Sequence, residues 1–238
     1  MRAPALLLGA LLGLLAAPAA AEPCRTVEHR DRPFTVCTAD LSQHRIDLLL
    51  RDAEGAVIGG FDALPDDTLF AMNAGMYHPD RRPVGLYVED GAEAAPIVTR
   101  AGPGNFGMLP NGVFCVTDDG ARVIESRAFA ADPPACRHAT QSGPMLLIDG
   151  AVHPRFIEDS PYLNLRNGVG VSPDGGTAHF VITDRPTSFH EMATLFRDAL
   201  GVRDALYFDG RVSRLFAPGI GRDDPGRRLG PIVAVAPR

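Results

Sequence analysis

Apolar positions in this chain recur in short runs set between turn residues, mostly at the two-residue spacing of a pleated strand. Ile46, Leu48 and Leu50 alternate with Asp47 and Leu49, and Leu69 to Asn73 is a buried-type run that ends in Asn73-Ala74-Gly75. Val113 to Thr117 and Ala121 to Glu125 flank Asp118-Asp119-Gly120, which predicts a hairpin. Met145 to Ile148 and Val152 flank Asp149-Gly150 in the same way, and Val169 to Ser172 and His179 to Thr183 flank Pro173-Asp174-Gly175-Gly176. Most of the Gly and Pro residues punctuate turns of this kind.

One segment has helical periodicity. Ser188-Phe189-His190-Glu191 reads as a capping box, with Ser188 at the cap and Glu191 three residues on. Met192, Leu195, Phe196, Ala199 and Leu200 then make one apolar face, and Gly201 stands where the helix should stop. The predicted class is therefore α+β: a mixed, strand-rich sheet with few helices.

The helix lies between two predicted strands, His179 to Thr183 and Ala205 to Phe208. Such a strand–helix–strand unit usually forms a right-handed crossover between parallel strands. It would place Asp184, Asp209 and the amino end of the helix at one sheet edge, where free amides favour an anion. Both carboxylates are also ordinary turn formers, so this placement alone leaves their role open.

Composition narrows the setting. Arg2, the apolar stretch Leu6 to Leu15 and Ala19-Ala20-Ala21 form a secretory signal, so residues 1–21 are expected to be removed. The apolar run is too short for a membrane span, and Pro23 before Cys24 is wrong for lipidation. The expected mature chain, residues 22–238, is long enough for one sizeable domain and has no linker or repeat to divide it. Its expected place is the periplasm or the medium, with no stable membrane insertion. A net charge of −6 without a basic block argues against nucleic-acid partners. Every basic residue other than His is Arg, which removes Schiff-base and Ser–Lys chemistry and leaves a better bidentate partner for phosphate.

Four cysteines in an exported chain, with no CxxC spacing, predict two disulfides. Cys24 and Cys37 are equidistant from Arg30–Asp31, and the segments Cys24 to Val27 and Phe34 to Cys37 read as the two arms of a hairpin. Opposed positions on paired strands can be bridged, so Cys24 is assigned to Cys37, which leaves Cys115 for Cys136.

Four blocks in order carry a resemblance to a known family. Phe70-Ala71-Met72-Asn73-Ala74-Gly75-Met76-Tyr77 is similar to the Asn-Gly-Gly-Phe-type motif of the phosphodiester glycosidases. Thr140-Gln141-Ser142-Gly143-Pro144, Arg166-Asn167-Gly168-Val169-Gly170 and Tyr207-Phe208-Asp209-Gly210-Arg211-Val212-Ser213 resemble the family's later blocks. The likeness runs from about Thr68 to Val235. It implies a hydrolase of glycosyl phosphodiesters, or an exported relative linked to exopolysaccharide, and it places Asn73, Gly143, Arg166, Asn167 and Ser213 at the site. Two positions depart from the pattern. Arg211 stands where a second Gly is usual, and Ala74 replaces a Gly.

The implied chemistry is coherent. Cleavage at the anomeric carbon expels a phosphate monoester that is already stable as an anion, so less general-acid help is needed than in an ordinary glycosidase. One carboxylate and cations on the phosphate suffice. Asp209 is the candidate base or oxocarbenium stabiliser, with Asp184 as the alternate. Arg166 and Arg214 are candidates for the phosphate, and Asn73 and Ser213 for orienting sugar or phosphate oxygens. No cofactor is expected, although a divalent cation between Asp184 and Asp209 is left open.

Other motifs fail on context. Gly102 to Gly107 fits GxGxxG literally, but Pro110-Asn111-Gly112 follows where a helix must run. Ser142 lacks the preceding glycine of a nucleophile elbow, and His190-Glu191 has Thr194 where a zinc protease needs His. Two functions remain: a hydrolase of a phosphorylated glycan, or a non-catalytic glycan-binding or polysaccharide-assembly factor, which the Arg211 departure favours. A phosphodiesterase that breaks P–O is a third, and the sugar itself is not legible.

Overall fold

The structure is a computed structural model that describes residues 22–210 and 212–238. The signal segment 1–21 and Arg211 lie outside the described residues. From the amino end come β1 (Cys24–His29), β2 (Arg32–Asp40), β3 (His44–Leu49), β4 (Phe70–Asn73), β5 (Tyr87–Glu89) and β6 (Ala92–Ala95). Then follow β7 (Gly112–Val116), β8 (Ala121–Glu125), the short helix α1 (Ser126–Ala131), β9 (His138–Ser142), β10 (Met145–Ile148) and β11 (Ala151–Val152). The order ends with β12 (Asn167–Val171), β13 (Thr177–Thr183), α2 (Phe189–Thr194), β14 (Asp204–Asp209), β15 (Leu215–Ala217), β16 (Arg222–Asp223) and β17 (Ile232–Pro237).

These strands make three sheets, in the orders β1-β2-β13-β12-β14-β10-β11, β16-β15-β4-β17-β3 and β6-β5-β9-β7-β8. Every pairing is antiparallel, which corrects the expected mixed sheet. The reason lies in the connections. Two- to five-residue turns join β1 to β2, β7 to β8, β10 to β11 and β12 to β13, and turns that short can only reverse the chain. The expected crossover is corrected with it. β13 and β14 are not a parallel pair, because β12 lies between them and pairs antiparallel to both. They do run in the same direction, so the carboxyl ends of β13 and β14 and the amino end of β12 share one edge.

Turn chemistry explains the hairpins. Arg30 and Asp31 both adopt positive φ (50° and 60°), as do Asp149 and Gly150 (49° and 84°), which matches the twist of two-residue reversals. In the first hairpin Cys24 lies directly opposite Cys37, and the two are bonded, as are Cys115 and Cys136.

The core forms where the three sheets face one another. Phe180 of the first sheet packs edge-on against Phe70 of the second at 5.6 Å and against Phe114 of the third at 5.7 Å. Phe114 also meets Phe208 at 6.3 Å. The first sheet is buried on both faces, in the period-2 pattern of its strands. Cys37, Ala39, Phe180, Ile182, Leu206 and Phe208 face the shared core. Their neighbours Phe34, Val36, Val181, Ala205 and Tyr207 face α2 through Met192, Leu195 and Phe196. Gly170 makes that close approach possible, since a Cβ there would lie 2.7 Å from Phe196 Cδ1.

The helix begins with the predicted box. Ser188 Oγ accepts from Glu191 N–H at 3.1 Å, and Glu191 Oε2 accepts from Ser188 N–H at 3.0 Å. Its end differs from expectation. Leu195–Ala199 is a π turn in which Leu200 N–H reaches Leu195 C=O at 3.2 Å. The wider turn rotates Ala199 out of the apolar face, leaving it exposed while Ala193 is buried.

Candidate functional site

The shared edge of the first sheet meets the end of β4 at a pair of buried asparagines. Asn73 closes β4 and Asn167 opens β12; both are fully buried, and their amides join the first two sheets. Asn73 Nδ2 donates to Asn167 Oδ1 at 3.1 Å, and Asn167 Nδ2 donates back to Asn73 C=O at 2.8 Å. Asn167 Oδ1 also accepts from Asp209 N–H at 3.1 Å and from Ser213 Oγ at 3.3 Å. Asn73 Oδ1 takes the Arg214 N–H at 3.0 Å, and Ser213 Oγ donates to Asp209 C=O at 2.9 Å.

These bonds fix the end of β14 and the turn that follows it. They commit most of the bonding capacity of the two asparagines inside the protein. Replacing Asn167 with Ala would strand Asp209 N–H and Asn73 Nδ2 in a buried setting, at about 1–3 kcal/mol for each such group. The expected outcome is a fall of about 2–6 kcal/mol in unfolding free energy by urea titration. A variant of unchanged stability contradicts this role.

Asp209 is half-buried beyond the pair, and Gly210 N–H donates to its Oδ1 at 2.5 Å. Burial first, then the Asp209 charge, pushes the phenols of Tyr207 and Tyr77 up in pKa, so the carboxylate acts on both rings. Gly210 is required here, because a Cβ would collide with Tyr207 Oη and sit 3.0 Å from Leu165 C=O. Arg211, next in the chain, lies outside the described residues.

Tyr207 also meets Arg166. Its side chain is buried, only 2% of the residue being exposed, and its guanidinium carbon stands 3.7 Å over the Phe189 ring and 5.6 Å from that of Tyr207. Nε donates to Thr187 C=O at 2.7 Å and one terminal nitrogen to Tyr162 C=O at 3.0 Å. Phe189 is the first residue of α2, so the capping box that starts the helix also places the ring beneath the cation. Phe189 stacks in turn on Phe156, with ring centres 4.9 Å apart, and Phe156 on His153 at 4.7 Å. Desolvation holds the Arg166 pKa below its ordinary value, against an opposing hydrogen bond to the Tyr207 phenol, and among the described residues no carboxylate pairs with it. The guanidinium lines a cavity of about 380 Å³ with Asn105, Arg155, Ser160, Asn164 and His190, and no acidic residue borders it.

The remaining expected site residues stand elsewhere. Asp184 follows the end of β13, but both its oxygens are engaged: Oδ1 accepts from Arg222 at 2.6 Å and Oδ2 from Thr35 at 2.9 Å. Arg222 also holds Asp224 at 3.0 Å, and this charged group borders a cavity of about 260 Å³ that includes Ser213. A cation between Asp184 and Asp209 would have to displace Arg222, and the described residues contain no cluster of three or more His, Cys, Asp or Glu suited to a metal. Arg214 points away from the Arg166 cavity. Its guanidinium bonds the carbonyls of Asp224 and Arg227 and lies 4.8 Å from the Phe61 ring centre. At Gly143 a Cβ would lie 2.6 Å from Asn111 Cβ and 3.0 Å from the Phe106 carbonyl oxygen.

Sequence reasoning missed Phe189, Tyr207 and Asn105. Phe189 was legible only as a capping-box position, and Asn105 only as part of the rejected glycine-rich loop. That loop lends a side chain to the cavity, and Asn105 is in polar contact with the Tyr207 phenol.

Residues 66–235 match the phosphodiester glycosidase family. The uncharacterized protein YigE of Escherichia coli K12 is 32% identical over 188 residues, which is 76% of this chain and 73% of the relative. The catalytic domain of zebrafish N-acetylglucosamine-1-phosphodiester alpha-N-acetylglucosaminidase, solved in a form auto-inhibited by its pro-peptide, superposes with a TM-score of 0.59 at 14% identity. That match covers 90% of this chain and 82% of the zebrafish domain. A protein of Burkholderia pseudomallei K96243 named as exported superposes with a TM-score of 0.58 at 13% identity, covering 87% of this chain and 75% of its own. These two are likenesses of fold.

Proposed function

The chain belongs to the phosphodiester glycosidase family, and from that premise we propose that it is an exported hydrolase of a glycosyl (sugar-1-)phosphodiester. Residues 22–238 act as one domain in this reading, on a phosphorylated envelope glycan or exopolysaccharide. The observation that carries the proposal is Arg166. A buried cation without a carboxylate is costly, and a protein keeps one where an anionic ligand completes it. The residue lines a cavity of ligand size whose charged neighbours are basic or neutral.

The roles follow from position. Arg166 binds the phosphate and stabilises the charge that gathers on it as the monoester leaves. Asp209, fixed by its main-chain bond to Asn167, activates water at the anomeric carbon or stabilises the oxocarbenium ion. Tyr207 meets Arg166 and lies in the field of Asp209, and it stays a neutral phenol because burial and Asp209 oppose its ionisation more than Arg166 favours it. Asp184, tied to Arg222 and Thr35, is a structural anchor. Export is supported by the signal-like segment, by the two disulfides and by the name of the Burkholderia relative.

The test is a substrate panel for the purified chain. Sugar-1-phosphodiesters are expected to be hydrolysed, while simple alkyl glycosides of the same sugars are not, since they lack the group that Arg166 holds. Turnover of the alkyl glycosides but not the phosphodiesters overturns the proposal.

A further inference from the structure

The Arg166 cavity has a mouth unlike the rest of the surface. Five large apolar side chains are well exposed among the described residues, and Ile157, Tyr162, Leu163 and Leu165 are four of them. All four fall within residues 157–165, the segment that runs up to Arg166. Tyr162 is 77% exposed and Ile157 66%, and both line the cavity beside Phe156 and Met108. One exposed leucine is ordinary, whereas four large apolar side chains in nine residues mark a surface that is covered in use.

What covers it is constrained by the floor beneath. The cavity lining holds Arg166 and Arg155 and no acidic residue, in a chain of net charge −6; Glu158 and Asp159 of the mouth segment stand exposed outside that lining, Glu158 paired with Arg30. A cationic floor under an apolar mouth complements an amphiphile, with an anionic head below and a hydrocarbon tail above. A two-fold dimer through this face would cover the apolar mouths but leave both Arg166 cations without an anion.

We propose that the second ester group of the substrate is a lipid-like alkyl chain, seated along Ile157 and Tyr162 while its phosphate reaches Arg166. This rests on the reading of Arg166 as the phosphate ligand. It adds a substrate class, a lipid-linked glycosyl phosphate, and two residues that select it.

Binding tests it without turnover. Calorimetry on the purified chain compares methyl octyl phosphate, below its micelle concentration, with dimethyl phosphate. The octyl ester is expected to bind at least about tenfold tighter, since burial of two or three methylenes suffices, and with a negative heat-capacity change. In the double variant Ile157→Ser, Tyr162→Ser, which keeps the Tyr162 main-chain carbonyl that accepts from Arg166, that advantage is lost, while dimethyl phosphate binds as before. Dimethyl phosphate binding with no gain from the longer chain overturns the inference and leaves the phosphate site standing. Equal octyl binding in Arg166→Met overturns it together with the reading of Arg166. A ligand-free dimer that the serine substitutions dissociate overturns it in favour of a second copy on this face. Binding of neutral phosphatidylcholine vesicles, lost in the double variant and without octyl discrimination, overturns it in favour of a membrane-docking surface.

Discussion

Replacing Asp209 with asparagine lowers kcat by about 10²- to 10⁴-fold and leaves KM nearly unchanged. A carboxylate that activates water or faces an oxocarbenium ion acts mainly in the transition state, so its loss appears in kcat. The substitution is nearly isosteric and keeps the main-chain bonds that position the residue. The bonds from Asp209 N–H to Asn167 Oδ1 and from Ser213 Oγ to Asp209 C=O are main-chain contacts that asparagine retains. The amide oxygen can still accept from Gly210 N–H. Stopped-flow or steady-state kinetics on a sugar-1-phosphodiester measure the effect. Full turnover in Asp209→Asn removes this residue from the chemistry. Asp184 is a poor replacement while Arg222 and Thr35 hold both its oxygens.

The second large effect belongs to Arg166. Replacement by methionine keeps the bulk of the side chain over Phe189 but removes the charge. Truncating one partner of a buried charge pair costs about 2–5 kcal/mol in binding, so kcat/KM on the phosphodiester falls by about 30- to 4,000-fold. KM and kcat both worsen, because the phosphate is charged in the ground state as well as in the transition state. Lysine does not rescue it. An ammonium is a compact point charge and cannot span the Thr187 and Tyr162 carbonyls while facing a phosphate.

Stability moves differently from activity. The variant loses the bonds to the Thr187 and Tyr162 carbonyls and to the Tyr207 phenol, each worth about 1 kcal/mol net, but it is relieved of a desolvated cation whose burial costs several. The urea midpoint of Arg166→Met is therefore expected not to fall. A protein that keeps full kcat/KM, or one that simply unfolds, contradicts the role given to this residue.

The parts of this structure that were legible in the sequence are local. Asp149-Gly150 and Asp118-Asp119-Gly120 stand at hairpin turns because turn chemistry is decided within a few residues. The Cys24–Cys37 bridge was readable from the symmetry of two short strands about Arg30–Asp31, although neither turn residue is Gly or Asn. The helix start was readable from Ser188 and Glu191, whereas its π-turn ending was not, since no residue there forbids an ordinary turn.

The site was legible only as a set of blocks, because its contacts join distant residues. Asn73 meets Asn167 across 94 positions, and Asp184 meets Arg222 across 38. β17 inserts between β3 and β4 with no local signal that it must. The crossover expectation failed for the same reason. Nothing between His179 and Phe208 says that β12, earlier in the chain, occupies the place between the two strands.

Hydrolysis in ¹⁸O-labelled water tests the central claim most directly. With the purified chain and a sugar-1-phosphodiester, the label is expected in the anomeric hydroxyl of the released sugar, as attack at carbon requires, and the phosphate monoester stays unlabelled. Label in the phosphate would show P–O cleavage and contradict the mechanism, and no turnover of any sugar phosphodiester would leave a glycan-binding protein in place of an enzyme.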